Sequence, residues 1–178
     1  SRAQKGQIDD FNTYHENILE WIKIANEYKI PTFVLGVGLG GLIILNLLEK
    51  TELPIEGILL FSPMLELKRD YKGRKNKLIS NVGKISKDTR FKVGITPQDL
   101  TRNDEIIEET ANDGLMLKKV TYSWYNLINE KMKETMDHIR DIKPISALIM
   151  YGTNDKILET QSINEMKDKL KSKEMYFK

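Results

Sequence analysis

Four glycines, Gly36, Gly38, Gly40 and Gly41, fall within six residues of one another. The apolar run Phe33-Val34-Leu35 precedes them, and Leu42-Ile43-Ile44-Leu45-Asn46-Leu47-Leu48 follows. The first run has the length of a strand and the second is too long for one, so the order reads strand, tight turn, buried helix. Amide groups at the start of such a helix point at whatever lies above the turn. That arrangement suits an anion or a developing oxyanion.

Two chemistries use this geometry. Gly36, Gly38 and Gly41 fit the G-x-G-x-x-G pattern of dinucleotide binding. That chemistry also needs a second strand ending in an acidic residue, roughly 20 residues on, to hold the ribose hydroxyls. The next strand, Gly57 to Phe61, runs instead into Ser62-Pro63-Met64, and the nearest acid, Glu66, lies beyond a proline turn. The other chemistry is the nucleophile elbow, G-x-S-x-G, whose frame is present in Gly36-Val37-Gly38-Leu39-Gly40. Its central residue here is Gly38. Glycine adopts the positive φ of such a turn without a Cβ clash, but it carries no nucleophile.

Charge and composition narrow the partners. The 178 residues are 40% hydrophobic and 30% charged with a net charge of +2, values of a globular domain with no general affinity for nucleic acid. The chain has no cysteine, which excludes disulfides, zinc-thiolate sites and a cysteine nucleophile. No cofactor and no metal site is expected. No apolar run reaches the roughly 18 residues that span a bilayer, and a cytoplasmic setting, with a peripheral place at the membrane as its extension, is expected. The two histidines, His15 and His138, fall on helical segments, where structural roles are expected; a cation near a helix end suits His138.

The elements that must position the elbow follow from periodicity. A helix from about Phe11 to Tyr28, capped by Asp9 or Asp10, carries Phe11, Tyr14, Ile18, Trp21, Ile22 and Ala25 at helical spacing as one core face. The helix after the elbow is apolar nearly all round and runs to about Lys50. Gly57 to Met64 is a second buried strand, parallel to the first because a helix crosses between them. Between Glu66 and Gly94 ten basic residues face three acids. That segment reads as a solvated face, or more sharply as a surface for anionic lipid headgroups. Helical patterns resume at Asp104–Ala111 and Lys119–Ile139, and Pro144 closes an all-helical insertion. Ile145 to Tyr151 is a third buried strand with Gly152-Thr153-Asn154-Asp155 at its tip, followed by a helix and the start of a fourth strand at Glu174. The order is that of an α/β fold with a mostly parallel sheet, flanking helices and an inserted cap. The expected organisation is 1–65 α/β core with the elbow and two strands, 66–143 helical cap, and 144–178 α/β core with the acid-bearing strand. Ligands sit at the carboxyl ends of such strands, which places Gly38 and Asp155 on one edge.

These motifs, in this order, resemble the α/β-hydrolase superfamily, and within it the monoacylglycerol lipase and lysophospholipase branch, also called serine aminopeptidase-like. The resemblance rests on the elbow, on Phe61-Ser62-Pro63, on the inserted helices and on Tyr151-Gly152-Thr153-Asn154-Asp155-Lys156-Ile157. Lys5-Gly6-Gln7-Ile8-Asp9-Asp10-Phe11 with Tyr14 is similar to the segment before the branch's elbow helix. Leu100-Thr101-Arg102-Asn103 and Asn112-Asp113-Gly114-Leu115 with Trp124-Tyr125 resemble its cap. The resemblance implies that Gly38 occupies the nucleophile's place, that the Leu39 amide is an oxyanion donor, and that Asp155 is the acid of the triad. It implies hydrolysis of a lipid ester, a monoacylglycerol or lysophospholipid, with the cap residues Leu115, Met116, Leu117, Tyr122, Trp124 and Tyr125 available to an acyl chain. The serine is absent, Val37 replaces the histidine common before it, and neither His15 nor His138 matches the family histidine, which follows the last strand. The histidine-glycine segment and first strands of the family precede Ser1, and the intact protein is expected to carry them. Catalysis is therefore expected to be impaired, and a non-catalytic module binding a lipid or a partner is the alternative.

Overall fold

The computed structural model describes residues 6–8, 10–68, 71 and 88–178. Its centre is a sheet of four parallel strands in the order β1 (Phe33–Val37), β2 (Gly57–Phe61), β5 (Ser146–Met150) and β6 (Met175–Phe177). The register aligns Val37 with Phe61 and Phe61 with Met150, so the carboxyl ends of these strands form one edge.

Helix α2 (Leu39–Leu48) crosses from β1 to β2, and every residue from Gly41 to Leu48 is buried. An all-round apolar helix is stable only when covered on every side. The sheet covers one side through Ile58, Leu60 and Ile149, and Tyr125, Ile128 and Met132 of α5 (Tyr122–His138) belong to the same core. On the outer flank lies α1 (Asn12–Asn26), with Ile22 and the preceding N-cap residue Phe11 buried. The remaining elements are β3 (Arg90–Lys92), α3 (Pro97–Leu100), α4 (Asp104–Asn112), β4 (Lys119–Thr121) and α6 (Thr160–Lys169), with a short 3-10 turn at Ile139–Asp141.

The sequence-based expectations need three corrections. First, the insertion is not all helical: β3 and β4 pair antiparallel, with Phe91 opposite Val120, and Lys119–Thr121 is strand rather than the start of a helix. Short strands set among charged residues give too few positions for alternation to register. Second, Trp21 is 67% exposed and not core. In this chain β1 is the sheet edge, so the outer side of α1 and the exposed Phe33 and Leu35 border an apolar groove of about 400 Å³. Third, the aromatic and apolar residues offered to an acyl chain are not gathered together. Tyr125 is buried in the core, Trp124 Nε1 donates to the Tyr14 hydroxyl at 3.3 Å, and Leu115 is 71% exposed. The cap proposed for Asp9, and most of the basic segment between Glu66 and Gly94, fall outside the described residues.

Candidate functional site

The elbow is a bend of unusual tightness. Gly38 joins β1 to α2 with φ 53° and ψ −115°, a backbone conformation that L side chains rarely adopt. The flanking glycines serve a different purpose. A Cβ at Gly36 would lie 2.6 Å from Ile44 Cδ1 and 2.7 Å from the Gly41 nitrogen, and one at Gly41 would lie 2.8 Å from Pro63 Cβ. Strand, helix and the β2 tip therefore approach so closely that only hydrogen fits at 36 and 41. At Gly38 itself a Cβ would meet no atom within 4 Å, so the space above the bend is open. The bend is pinned to the neighbouring strand by Gly38 N–H donating to Phe61 O at 3.0 Å and Met64 N–H donating to Gly38 O at 2.9 Å. Leu39 is the first residue of α2, a position whose amide has no intrahelical partner.

Asp155 follows β5 on the same edge of the sheet. Its Oδ1 accepts from Ile157 N–H at 2.8 Å and Leu158 N–H at 2.9 Å, which shapes the loop. Lys68 Nζ donates to the Asp155 carbonyl, Lys68 N–H donates to Ile157 O at 2.8 Å, and Glu159 N–H donates to Glu66 O at 2.9 Å. The acid-bearing loop is thus tied to the segment that leaves β2. Lys156 reaches the other way and donates to Gln98 O at 2.9 Å, fastening the loop to α3. Between them lies a cavity of about 420 Å³ bordered by Ser62, Thr101, Arg102, Asn154 and Asp155. Asp99 also borders it, and the Thr96 hydroxyl and amide, at 2.7 and 2.8 Å, hold its carboxyl below the usual range. The elbow and Asp155 share an edge, but Gly38 does not border this cavity; the β2 tip stands between them.

The histidines lie elsewhere. His15 on α1 is buried edge-on against Phe11 at 5.3 Å, and burial, followed by the nearby Lys50 and Lys131, lowers its pKa to about 4. It is a neutral core residue. His138 closes α5 with Nδ1 2.9 Å from Asp141 Oδ2, a partner that raises its pKa. Neither borders the cavity.

Two features escaped the sequence. Ser62, at the tip of β2, has φ 42°. Asn46, fully buried on α2, bridges to Glu49, Glu134 and Thr135. A lone polar residue in an otherwise apolar helix was the available signal for the second; the first had none. Among the described residues, no group of three or more His, Cys, Asp or Glu could hold a metal ion, and no helix is long and apolar enough to cross a membrane.

Comparison with known proteins agrees with the architecture. The chain is 27% identical over 156 residues to Phospholipase YtpA of Bacillus subtilis (strain 168), covering 87% of this chain and 60% of that protein. The monoacylglycerol lipase of Paleococcus ferrophilus superposes with TM-score 0.74 at 22% identity, over 91% of this chain and 63% of that one. A soluble variant of monoglyceride lipase from Saccharomyces cerevisiae, solved with a substrate analogue, superposes with TM-score 0.83 at 18% identity, over 99% and 62%. The chain therefore spans about 60% of the length of the curated relative it matches. The fold is that of the α/β-hydrolases. Over residues 1–178 the sequence matches the pattern of the serine aminopeptidase S33 family, Hydrolase_4, and the chain belongs to that family.

Proposed function

We propose that this chain supplies the elbow and the acid-bearing loop of a carboxylic-ester hydrolase for lipids of the monoacylglycerol or lysophospholipid type, with its nucleophile position disarmed. The observation that carries the reading is the backbone of Gly38, bent as a nucleophile's would be, on the edge that also presents Asp155. In this reading Gly38 takes the nucleophile's place, Leu39 N–H faces the oxyanion, and Asp155 is the acid that would orient a histidine. Gly38 has no atom with which to attack a carbonyl, so only the weak residual catalysis of binding and oxyanion stabilisation is left.

A second reading, a non-catalytic binder of a lipid or a partner, is favoured by one feature: glycine holds φ 53° without the strain a serine there would store. Assays of the unmodified full-length protein and its Gly38→Ser variant, with p-nitrophenyl butyrate and a lysophospholipid, separate the readings. Turnover gained only with serine supports the disarmed hydrolase. Turnover by the unmodified protein overturns the placement of the nucleophile. Silence in both, with ester binding retained, favours the binder. For the basic segment we infer a peripheral contact with anionic lipid headgroups on the cytoplasmic side, checked by sedimentation with neutral and anionic vesicles; equal binding removes it.

A further inference from the structure

At the carboxyl edge of the sheet, the residue between the elbow and the acid-bearing loop is Ser62. Its φ of 42° lies in the left-handed region, where a non-glycine residue is uncommon. The next residue is Pro63, and a residue before proline is pushed toward extended conformations, so Ser62 is disfavoured twice over. Strain of this kind persists only where the surroundings impose it, and it gathers at ligand sites. The surroundings are evident. Ser62 N–H donates to Met150 O at 2.8 Å, while Phe61 before it and Met64 two residues after it are bonded to Gly38. The bent backbone leaves Ser62 half-buried on the wall of the cavity that Thr101, Arg102 and Asn154 also line. Among the described residues its hydroxyl has no hydrogen-bond partner. The carboxylates of the same cavity, by contrast, are engaged by their own loops.

From this geometry we infer that Ser62 is a substrate-contacting residue, whose hydroxyl hydrogen-bonds a hydroxyl-bearing, glycerol-like head of the ester held between the β2 tip and the cap segment. The inference rests on the ester-lipid reading above. A hydroxyl both donates and accepts, so it matches an alcohol head group, and the neutral Thr101 and Asn154 beside it extend the same chemistry.

The test is equilibrium binding to the full chain, read by calorimetry with two small esters. 1-Monobutyrylglycerol carries the hydroxyls; butyl butyrate carries the ester and the chain without them. Ser62→Ala is expected to weaken monobutyrylglycerol about five- to tenfold, the loss of one hydrogen bond, and to leave butyl butyrate unchanged. Ser62→Gly is expected to give the same selective loss together with a higher melting temperature, because glycine relieves the left-handed backbone. That pairing separates the hydroxyl from the fold. Binding of both esters unaffected by Ser62→Ala, or weakened equally, overturns the contact while leaving the ester reading intact. Failure of the unmodified protein to bind either ester overturns both. If the protein turns the esters over, the same contrast is read in KM.

Discussion

Removing the carboxyl of Glu49 should visibly change this protein's pH dependence. Glu49 follows the last residue of α2, where the carbonyl end of the helix already disfavours an anion. Its Oε2 accepts from Asn46 Nδ2 at 3.2 Å, and the same Nδ2 lies 3.4 Å from Glu134 Oε1, so one amide serves two carboxylates. Glu49 Oε1 is buried with no partner. Burial above all, helped by the charge of Glu134, raises the pKa from 4.5 to about 7. In the folded state Glu49 therefore holds a proton that the unfolded chain releases. Stability falls as pH climbs from about 4.5 to about 7, and the penalty is complete above that window. The undiscounted shift is worth about 3.4 kcal/mol, and solvent screening of a half-buried group reduces this to about 1–2 kcal/mol. Glu49→Gln never ionises. Compared by urea unfolding, it should exceed the natural protein by about 1–2 kcal/mol at about pH 8 and lose that advantage by about pH 4.5. A difference that does not change with pH, or a less stable glutamine variant at alkaline pH, would refute the reasoning.

Other substitutions should sort the glycines and loops by cause. Gly38→Ser should fold, since its Cβ meets nothing within 4 Å, at a cost of about 1–2 kcal/mol for the left-handed backbone, read from the melting temperature. Gly36→Ala should cost more, about 3 kcal/mol or beyond, because its Cβ would sit 2.7 Å from the Gly41 nitrogen; a melting temperature above that of the Gly38 variant would contradict the packing described. Asp155→Ala should cost about 1–3 kcal/mol by stranding the Ile157 and Leu158 amides, whereas Asp155→Asn, which keeps an acceptor, should cost less in the same denaturation assay. Proton NMR of the imidazoles should show His15 titrating near 4 and His138 above 6.5; reversed assignments would mean that the burial of one and the Asp141 partner of the other are misplaced.

The elbow was legible in the sequence because close packing leaves only glycine at Gly36 and Gly41, positive φ favours it at Gly38, and the flanking runs differ in length as strands and helices do. The Asp155 loop was legible for a similar reason: an apolar strand ending in a glycine-asparagine-aspartate turn. Other features depend on what lies opposite. Helical spacing put Trp21 on an apolar face but could not say that no described strand flanks β1 on the side of Trp21. Asn46 meets Thr135 and Glu134 across nearly half the chain, a pairing that no local pattern encodes. The backbone of Ser62 runs against its local preference, since the proline after it argues for an extended residue; only the bonds to Met150 and around Gly38 enforce the bend.

Adjacent strands β2 and β5 are joined in sequence only through everything between Phe61 and Ser146. Their pairing closes a long loop before any contact rewards it, which makes this step a candidate for the slow event in folding, after β1, α2 and β2 have formed from local sequence. Closure entropy grows only by about 0.6 kcal/mol for each doubling of loop length. Insertions into this span are therefore cheap, and a lineage built on this sheet can lengthen, shorten or exchange the sequence between the two strands while their tips stay a single strand spacing apart.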